Sequence, residues 1–502
     1  MDTFDSLIID VNDVFWTWLL IPLVVGAGLW FTLRSKGVQI RLLPEMMRVL
    51  TEKTQPRADG SKPVSSFGAF TISAAARVGT GNVAGVATAI TLGGAGAVFW
   101  MWVMAVVGAA SAFIESALAQ LYKVRGENGT YRGGPAYYMQ HGLGKRWLGL
   151  VFAVIITLTF AFTFNAVQSN TIVSVTSGSI SGGDESWFAP VAGIAVAVLL
   201  GLVIFGGVRR IASVTQLLVP VMAMLYLVLG AAVVVLNITD VPTVFLDIVG
   251  GAFGVREVAG GAIGAAIQNG IRRGMFSNEA GLGSAPNASA TAEVSHPVKQ
   301  GLVQTLGVFF DTLVVCSMTA FIILTSNPSL AGRQGADLTQ SALQSTLGDW
   351  AGHVLTVVVF MLCFSTLIGN YYYGESNIGF MTRNRWVLPS YRVLVLVTVF
   401  LGALGSVSVV WNLADVFMGV MALVNLVAIL PLSAIAIRLL VDYQEQRRAG
   451  LDPVFTVDRL PGLTGVQCWD AEGPGAAKGA ADTGGAKGEA SGTAKRTGAG
   501  SV

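Results

Sequence analysis

The chain has 502 residues, of which 53% are hydrophobic and only 12% are charged, and its mean hydropathy is +0.65. A soluble protein carries about 25% charged residues, so too few charges are present to cover water-facing domains of this total length. The composition therefore excludes an ordinary soluble enzyme, a disordered protein and a nucleic-acid-binding protein, and it predicts a membrane protein with many spans. The net charge of +2 supports no argument about the charge of a partner, and three cysteines cannot form a disulfide framework.

The hydropathy pattern predicts eleven transmembrane helices, because one span needs about 20 mostly apolar residues. The first of them follows acidic residues and precedes basic ones, so it is interpreted as a helix and not as a cleaved signal peptide. The predicted spans are residues 16–33, 67–92, 97–121, 147–176, 187–206, 211–237, 258–286, 299–325, 351–380, 391–406 and 409–441.

Lysine and arginine residues in the loops predict the orientation of these helices. If the N-terminus lies outside, the loop lysines and arginines fall on the inner side except for Arg256 and Arg333. This distribution is the positive-inside pattern of membrane proteins. The sequence therefore predicts a multi-pass protein of the cell membrane, with the N-terminus outside and the C-terminus in the cytoplasm.

The spans divide the chain into three parts. Residues 1–66 hold an extra N-terminal helix and a cytoplasmic loop, residues 67–442 hold ten helices, and residues 443–502 form a cytoplasmic tail. The ten helices split into two repeats of five, residues 67–240 and 241–442. From about residue 471 the tail is mostly Gly, Ala, Thr and Lys, so disorder is predicted there, with lipid binding by its lysines as the weaker alternative.

The first helix of each half carries a glycine-rich polar run that an unbroken membrane helix would not contain. These runs are Arg77–Asn82 in the first half and Asn269–Ser284 in the second. Paired breaks of this kind mark the binding site in transporters built from inverted repeats, and five helices per half make the two broken helices cross in opposite directions. Packing of helices through glycine is the alternative, but the polar side chains beside the glycines favour a binding site.

The two ends created by a break attract ions of opposite sign. Free N–H groups attract an anion and free carbonyl groups attract a cation, so an amino-acid zwitterion and a metal cation together match a break. We expect the N–H groups of Thr80 and Gly81 to face a carboxylate. The carbonyl groups of Ala75 and Val78 are expected to face a cation.

Four motifs resemble the signature sequences of the alanine or glycine:cation symporter family, the sodium:alanine symporters. They are Val78–Val86 (VGTGNVAGV), Gly93–Gly108 (GGAGAVFWMWVMAVVG), Arg273–Pro286 (RGMFSNEAGLGSAP) and Tyr371–Glu375 (YYYGE). The resemblance covers about residues 16–440. It implies an all-α polytopic membrane protein with the LeuT-type five-plus-five inverted repeat and one extra N-terminal helix. It also implies symport of a small neutral amino acid into the cell, alanine or glycine foremost, with sodium as the coupling ion and no cofactor.

The same resemblance implies a sodium site between two helices. The carbonyl groups of Ala75 and Val78 and the hydroxyl groups of Ser365 and Thr366 would bind the ion. Oxygen ligands of this kind suit a hard cation. Hydrogen bonding between helices is the alternative for the two hydroxyl groups.

Several predicted spans contribute polar residues that could contact the amino acid. Gln168 lies in a polar cluster of an apolar span and is the predicted contact, with bonding to another helix as an equal alternative. Asn370 stands where many family members carry Trp, so the pocket could be larger, and serine or glutamine stays open beside alanine. The predicted substrate-binding residues are Thr80, Gly81, Gln168, Gly270, Phe276 and Asn370.

Charged residues at membrane depth are functional by default. Glu115 and Asp311 could pair with Arg77, Arg272 or Arg273, and the sequence does not assign the pairs. The other acidic residues of the spans are interpreted as a helix cap (Glu279) and as residues near the membrane interface (Glu375 and Asp415).

No enzyme is expected, because the sequence contains no HExxH, Walker A or GxSxG motif. The alternatives that stay open are a proton-coupled neutral amino-acid symporter, with Asp311 carrying the proton, and a sodium symporter for serine or glutamine. The expected partners are a small neutral amino acid, sodium and the lipid bilayer, with no nucleic acid. The sequence does not predict the oligomeric state.

Overall fold

The computed structural model describes residues 12–53, 63–126, 129–180, 185–254, 260–326, 335–405 and 407–470. The described chain is helical apart from its connections and one hairpin of two short antiparallel strands. The tail from about residue 471, for which disorder is predicted, lies outside the described residues.

Up to residue 236, the described residues form eleven helices and the hairpin. Short π-helical segments, Trp16–Leu20, Gly81–Gly85 and Thr157–Phe164, continue directly into α1, α5 and α9. The elements are α1 (Ile21–Arg34), α2 (Val38–Arg41), α3 (Leu43–Leu50), α4 (Ser66–Arg77), α5 (Val86–Gly93), α6 (Gly96–Leu121), β1 (Val124–Arg125), β2 (Tyr131–Arg132), α7 (Pro135–His141), α8 (Arg146–Ile156), α9 (Asn165–Ile180), α10 (Glu185–Ile204) and α11 (Gly207–Leu236).

In the described part of the second half there are nine helices and one short 3₁₀ turn. A fourth π-helical segment, Phe310–Cys316, joins α15 to α16. The elements are α12 (Val241–Ala252), α13 (Gly260–Asn278), α14 (Ala285–Ser289), α15 (Pro297–Phe309), α16 (Ser317–Ser326), α17 (Ala336–Leu347), α18 (Asp349–Met381), α19 (Val387–Leu404), α20 (Val407–Arg448) and the 3₁₀ turn Val457–Arg459.

Nine helical segments of the described chain are long and apolar enough to cross a membrane. The two remaining predicted spans, residues 67–92 and 258–286, are those that the sequence predicts to be broken, and both are broken. In the first, α4 ends at Arg77 because Val78 adopts an extended ψ of 90°. In the second, α13 ends at Asn278 because Glu279 has a φ of +56° and two glycines follow at φ +80°.

The helices pack in two groups that place both breaks at the centre. One group joins α4, α5 and α6 to α13 and α15, so the first two helices of each half lie together. The other group joins α9 and α10 to α18 and α19. Helix α18 also packs on α4, which brings the second group against the first break. The inverted relation between the two halves stays a prediction.

The C-terminal residues 451–470, here named the C-terminal cap, fold onto the face that is predicted to be cytoplasmic. Trp469 and Phe455 are buried with their rings 5.7 Å apart, and the Trp469 Nε1–H donates to Gln120 O at 3.0 Å. The fully buried Lys299 ammonium binds Glu52 at 2.9 Å and Asp452 at 3.0 Å. The cap therefore joins the ends of α6 and α15 to the loop that precedes α4.

The buried His296 lies on the same face, directly before α15. Burial, the largest cause, lowers the pKa of His296 to about 4, so the ring is neutral at pH 7. Its Nδ1 accepts the Val298 N–H at 3.2 Å, and its Nε2 lies 3.1 Å from Asp442 Oδ2. These contacts fix the tautomer with the proton on Nε2, which donates to Asp442.

We expect Trp469→Ala to loosen the C-terminal cap, because deleting a buried tryptophan costs about 3–5 kcal/mol through lost contacts and the cavity left behind. Limited trypsin digestion of the purified protein should then cleave at Arg459 faster than in the wild type. Leu451→Ala is the control, since Leu451 belongs to the same cap but is 57% exposed. Equal cleavage rates in Trp469→Ala and the wild type would contradict the packing role of Trp469.

Candidate functional site

The first break presents two backbone carbonyl groups to the hydroxyl groups of α18. The Thr366 Oγ1–H donates to Ala75 O at 3.0 Å, and Thr366 Oγ1 lies 3.5 Å from Val78 O. Ser365 Oγ lies 3.4 Å from Ala75 O. All four residues are buried. The structure therefore brings together the four oxygen donors that the family resemblance assigns to sodium.

The N–H side of the first break faces α9. Gln168 Oε1 accepts the Thr80 Oγ1–H at 2.6 Å and the Thr80 N–H at 3.3 Å. The preceding N–H, of Gly79, donates to Asn82 Oδ1 at 2.8 Å. Both N–H groups thus bind neutral side-chain oxygens, and Thr80 and Gln168, two of the predicted substrate-binding residues, are in direct contact.

Gly81 and Phe276 bring the two broken helices together. A Cβ atom at Gly81 would lie 3.0 Å from Phe276 Cδ1 and 3.3 Å from Ser277 Cα, which is tighter than most such contacts in proteins. The Phe276 ring also packs on Phe164 of the π-helical segment before α9, with 4.9 Å between ring centroids. Glycine at position 81 therefore lets α13 approach the first break closely.

Asn370 and Gly270 occupy different surroundings. Asn370 is fully buried one turn after Thr366 on α18, and neither polar atom of its amide has a hydrogen-bond partner within the described chain. An unpaired buried amide is costly, so a partner outside the protein would relieve it. Gly270 lies inside α13 and packs against Ala97 O and the Trp100 side chain of α6. Its predicted role in substrate binding stays a prediction.

A protein carboxylate already binds the N–H groups of the second break. Glu115 of α6 accepts the Gly281 N–H at 3.2 Å and the Gly283 N–H at 3.1 Å. It also accepts Asn425 Nδ2–H at 2.7 Å, and Asn425 in turn bonds to the Tyr138 hydroxyl. The sequence marks Glu115 as a charge at membrane depth but gives no signal for these partners.

The remaining carboxylate of this break is Glu279. It accepts the Ser284 Oγ–H at 2.6 Å and lies 3.4 Å from the Tyr373 hydroxyl. Glu279 directly follows the C-terminal end of α13, and no side-chain hydrogen bond caps the start of α14 at Ser284, so the interpretation of Glu279 as a helix cap stays a prediction. The φ of +56° at Glu279 is a strained conformation for a residue with a side chain, and such strain concentrates at functional sites.

A second oxygen-rich cluster joins the two breaks. Asp311 Oδ1 accepts Asn82 Nδ2–H at 2.7 Å, while Oδ2 accepts the hydroxyl protons of Ser277 at 2.8 Å and Thr312 at 3.0 Å. All four residues are buried. Sequence reasoning named Asp311 but missed the other three, although Asn82 and Ser277 lie within the quoted family motifs.

The intramembrane charges pair differently from the combinations that the sequence permits. Neither Glu115 nor Asp311 forms an ion pair with an arginine within the described chain, and Arg77 donates to Gln304 O at 3.2 Å. The observed close ion pairs of the other charges are Arg272 with Asp13 at 2.8 Å, Arg273 with Asp415 at 2.6 Å and Arg392 with Glu375 at 3.6 Å.

Comparison with known proteins identifies relatives over most of the chain. The family model described as the sodium:alanine symporter family matches residues 1–457. The probable sodium/glutamine symporter GlnT of Bacillus subtilis is 51% identical over 91% of this chain and 94% of its own length. The amino-acid carrier protein AlsT of the same organism is 51% identical over 93% and 98%. The sodium/alanine symporter AgcS of Methanococcus maripaludis is 36% identical over 86% and 96%.

A solved structure shows the fold. The crystal structure of MhsT in complex with L-phenylalanine matches with a TM-score of 0.54 and 14% identity, and the match covers 76% of this chain and 99% of MhsT. The chain is therefore an all-α polytopic membrane protein with the LeuT-type fold.

We expect Gly79→Ala to disturb the site, because the added methyl group would collide with Thr366 Oγ1 and approach Gln168 Oε1 to 3.3 Å. Overpacking of this kind costs about 1–3 kcal/mol. Gly85→Ala is the matched control, since a Cβ atom at Gly85 would have no neighbour within 4 Å. Transport by membrane vesicles should fall about tenfold or more in Gly79→Ala and stay near the wild type in Gly85→Ala. Equal transport by both variants would contradict the close contact between Gly79 and Thr366.

Proposed function

The chain belongs to the sodium:alanine symporter family, and from this membership we propose how it carries a small neutral amino acid into the cell with sodium. Members of the family are sodium-coupled amino-acid symporters, so the chain is a secondary transporter in a membrane and not an enzyme. Alanine or glycine is the proposed substrate. The proposed orientation has the N-terminus outside and the C-terminal cap in the cytoplasm, in accord with the loop charges.

Sodium binds between the first break and α18. The observation that carries this assignment is the convergence of Ala75 O, Val78 O, Ser365 Oγ and Thr366 Oγ1 at distances of 3.0–3.5 Å. Each hydroxyl group carries two lone pairs beside its proton. Rotation of the hydroxyl protons away from the carbonyl groups would leave four oxygen atoms facing a cation, which is the ligand type that a hard cation prefers.

The amino-acid carboxylate binds at the first break and not at the second. Around Gly281 and Gly283 the N–H groups already donate to the Glu115 side chain, so they are occupied and a substrate carboxylate would have to displace it. At the first break the N–H of Thr80 meets only the neutral Gln168 oxygen, which a carboxylate can replace with a stronger, charge-assisted bond. Gln168 then remains beside the substrate.

The amino-acid side chain lies toward Phe276 and Asn370. Phe276 supplies an apolar ring and Asn370 supplies an amide that is buried without a partner in the described chain. This unpaired amide favours glutamine as a second candidate substrate, because a substrate amide would satisfy both of its polar atoms. The identity of 51% with a probable sodium/glutamine symporter supports the same candidate.

Sodium and the amino acid strengthen each other's binding. Ala75 and Val78 border one side of the break, and Thr80 borders the other, so an ion that orders this turn also orders the N–H groups for the carboxylate. Thermodynamic linkage requires the effect on the two affinities to be equal. Rocking of one helix group against the other then moves the loaded site from the outer to the inner side.

Proton coupling is the alternative mechanism. The Asp311 carboxylate bonds to residues of both broken helices and could carry a proton between them. Its two oxygen atoms already accept hydrogen bonds from the uncharged side chains of Asn82, Ser277 and Thr312. The carbonyl and hydroxyl oxygens at the first break favour sodium as the coupling ion.

We expect Thr366→Ala to lower sodium-dependent uptake of labelled alanine into proteoliposomes by roughly 10- to 100-fold, since a bond to a charged group contributes about 1.5–3 kcal/mol. The measurement compares a sodium gradient with an equal potassium gradient in the presence of a proton ionophore. Thr356→Ala is the control, because the Thr356 hydroxyl lies on the same helix and donates to Gly352 O. Uptake that needs no sodium and is abolished by the ionophore would move the coupling from sodium to a proton.

We expect Asn370→Ala to change substrate preference. If the Asn370 amide binds a substrate amide, kcat/KM for glutamine falls about tenfold or more while kcat/KM for alanine changes little, because a site built for hydrogen bonds discriminates strongly. Competition of unlabelled alanine, serine and glutamine against labelled alanine measures the ratio in both proteins. An unchanged ratio would remove Asn370 from the substrate site and leave alanine or glycine as the proposed substrate.

A further inference from the structure

Two adjacent arginines of α13 form ion pairs one turn before the site. The Arg273 guanidinium lies 2.6 Å from Asp415 Oδ2 of α20, and both side chains are at most 9% exposed. Arg272 lies 2.8 Å from Asp13 Oδ1, and its second terminal nitrogen lies 3.9 Å from Asp415 Oδ2. The three-residue step from Arg273 to Phe276 places these pairs beside the amino-acid site, on the side away from the C-terminal cap.

The N-terminal helical segment Asn12–Arg34 contacts both sides of this cluster. Asp13 binds Arg272. Trp16 is fully buried, and the Arg272 guanidinium lies over its ring at 5.2 Å from the ring centroid. The Trp16 Nε1–H donates to Asp415 O at 3.3 Å. The extra helix therefore holds α13 through Arg272 and α20 through the Asp415 backbone.

Separation of α13 from α20 must break these contacts. The Arg273 guanidinium lies 6.0 Å from the Phe276 ring, and Phe276 abuts Gly81 of the first break. An amino acid that reaches Gly81 from this side has to pass the ion pair. Buried charges that lose their partner are costly unless water enters, so the pairs favour the closed arrangement of the two helices.

We propose that the N-terminal helix is part of the outer gate, with Asp13 and Trp16 stabilising the closed state that Arg273 and Asp415 form. The helix acts as a positioning element, because it holds Arg272 on one side and Asp415 on the other. Opening therefore requires release of this bridge as well as of the direct ion pairs to Asp415. The proposal rests on the site proposed above, but its test does not use transport.

Labelling of two native cysteines can show whether the path from the outer side to the site is open. The Cys363 Sγ lies 3.2 Å from Thr80 Oγ1, and the Cys316 Sγ lies 3.2 Å from Ser277 Oγ, so both thiols are buried beside the site. The third, Cys468, belongs to the C-terminal cap on the opposite face. A membrane-impermeant thiol reagent added outside intact cells should reach Cys363 or Cys316 only while the outer path is open. Cys363→Ala and Cys316→Ala variants identify the labelled residue.

We expect thiol labelling to accelerate about tenfold or more in Asp415→Asn and Arg273→Gln, which remove the direct ion pair. It should accelerate about threefold in Asp13→Asn and in Trp16→Phe, because each removes one contact of the N-terminal helix. Asp349→Asn is the control, since it removes an exposed carboxylate at the start of α18. Size-exclusion chromatography shows whether each variant is folded. If the single variants do not fold, the double exchange Arg273→Asp with Asp415→Arg replaces them, and it should restore slow labelling.

The role of the N-terminal helix is overturned if Asp13→Asn and Trp16→Phe label at the wild-type rate while Asp415→Asn labels faster. Wild-type labelling in all four variants would overturn the gate as a whole. Failure of the uptake test at Thr366 would affect the proposed ion site alone, because the gate is judged by the labelling rates.

Discussion

The structure depends on one constraint, which is that every polar backbone group of a broken helix must find a partner away from water. The two breaks meet it in different ways. At the first, hydroxyl groups of Ser365 and Thr366 bind the carbonyl groups, and the neutral oxygen of Gln168 binds an N–H group. At the second, the two carboxyl oxygens of Glu115 accept two N–H groups at once. A cation or a carboxylate can replace the neutral hydroxyl and amide groups that bind the first break. The Glu115 side chain, in contrast, remains bound to the N–H groups of the second break. The first break is therefore suited to binding and the second to support.

The glycine positions follow from the same constraint. The first break is crowded by α18 on one side and α13 on the other, and the crowding leaves no room for side chains at Gly79 and Gly81. In α13 the close contact of Gly270 with Ala97 brings this helix against α6, which carries Glu115. Small residues thus set the distances over which the carboxylates and hydroxyl groups reach the backbone. In a membrane, where helices gain little from burying apolar surface against each other, such close approach supplies much of the packing energy.

Much of the fold and part of the site could be predicted from the sequence, because both leave local signals. Long apolar runs mark the spans, and glycines beside polar residues mark the breaks at Val78 and Glu279. The oxygen donors of α4 and α18 follow from the family resemblance. Contacts between distant residues have no such signal. The bonds of Asp311 to Asn82 and Ser277 depend on how α15 packs against both broken helices, and sequence spacing does not encode that packing. The C-terminal cap was missed because residues 451–470 have no helical period, although Phe455 and Trp469 are unusual in a polar tail.

The C-terminal cap has a consequence for biosynthesis. A ribosome delivers the chain from its N-terminus, and the membrane helices are inserted long before the last residues are made. Lys123 and Lys299 are fully buried in the finished molecule, and their contacts include Trp469 and Asp452. Until synthesis reaches those residues, Lys299 has Glu52 without Asp452, and Lys123 lacks the Trp469 ring. A chain that terminates early therefore leaves two lysines without contacts that the complete chain supplies, a difference that a quality-control protease at that surface could recognise.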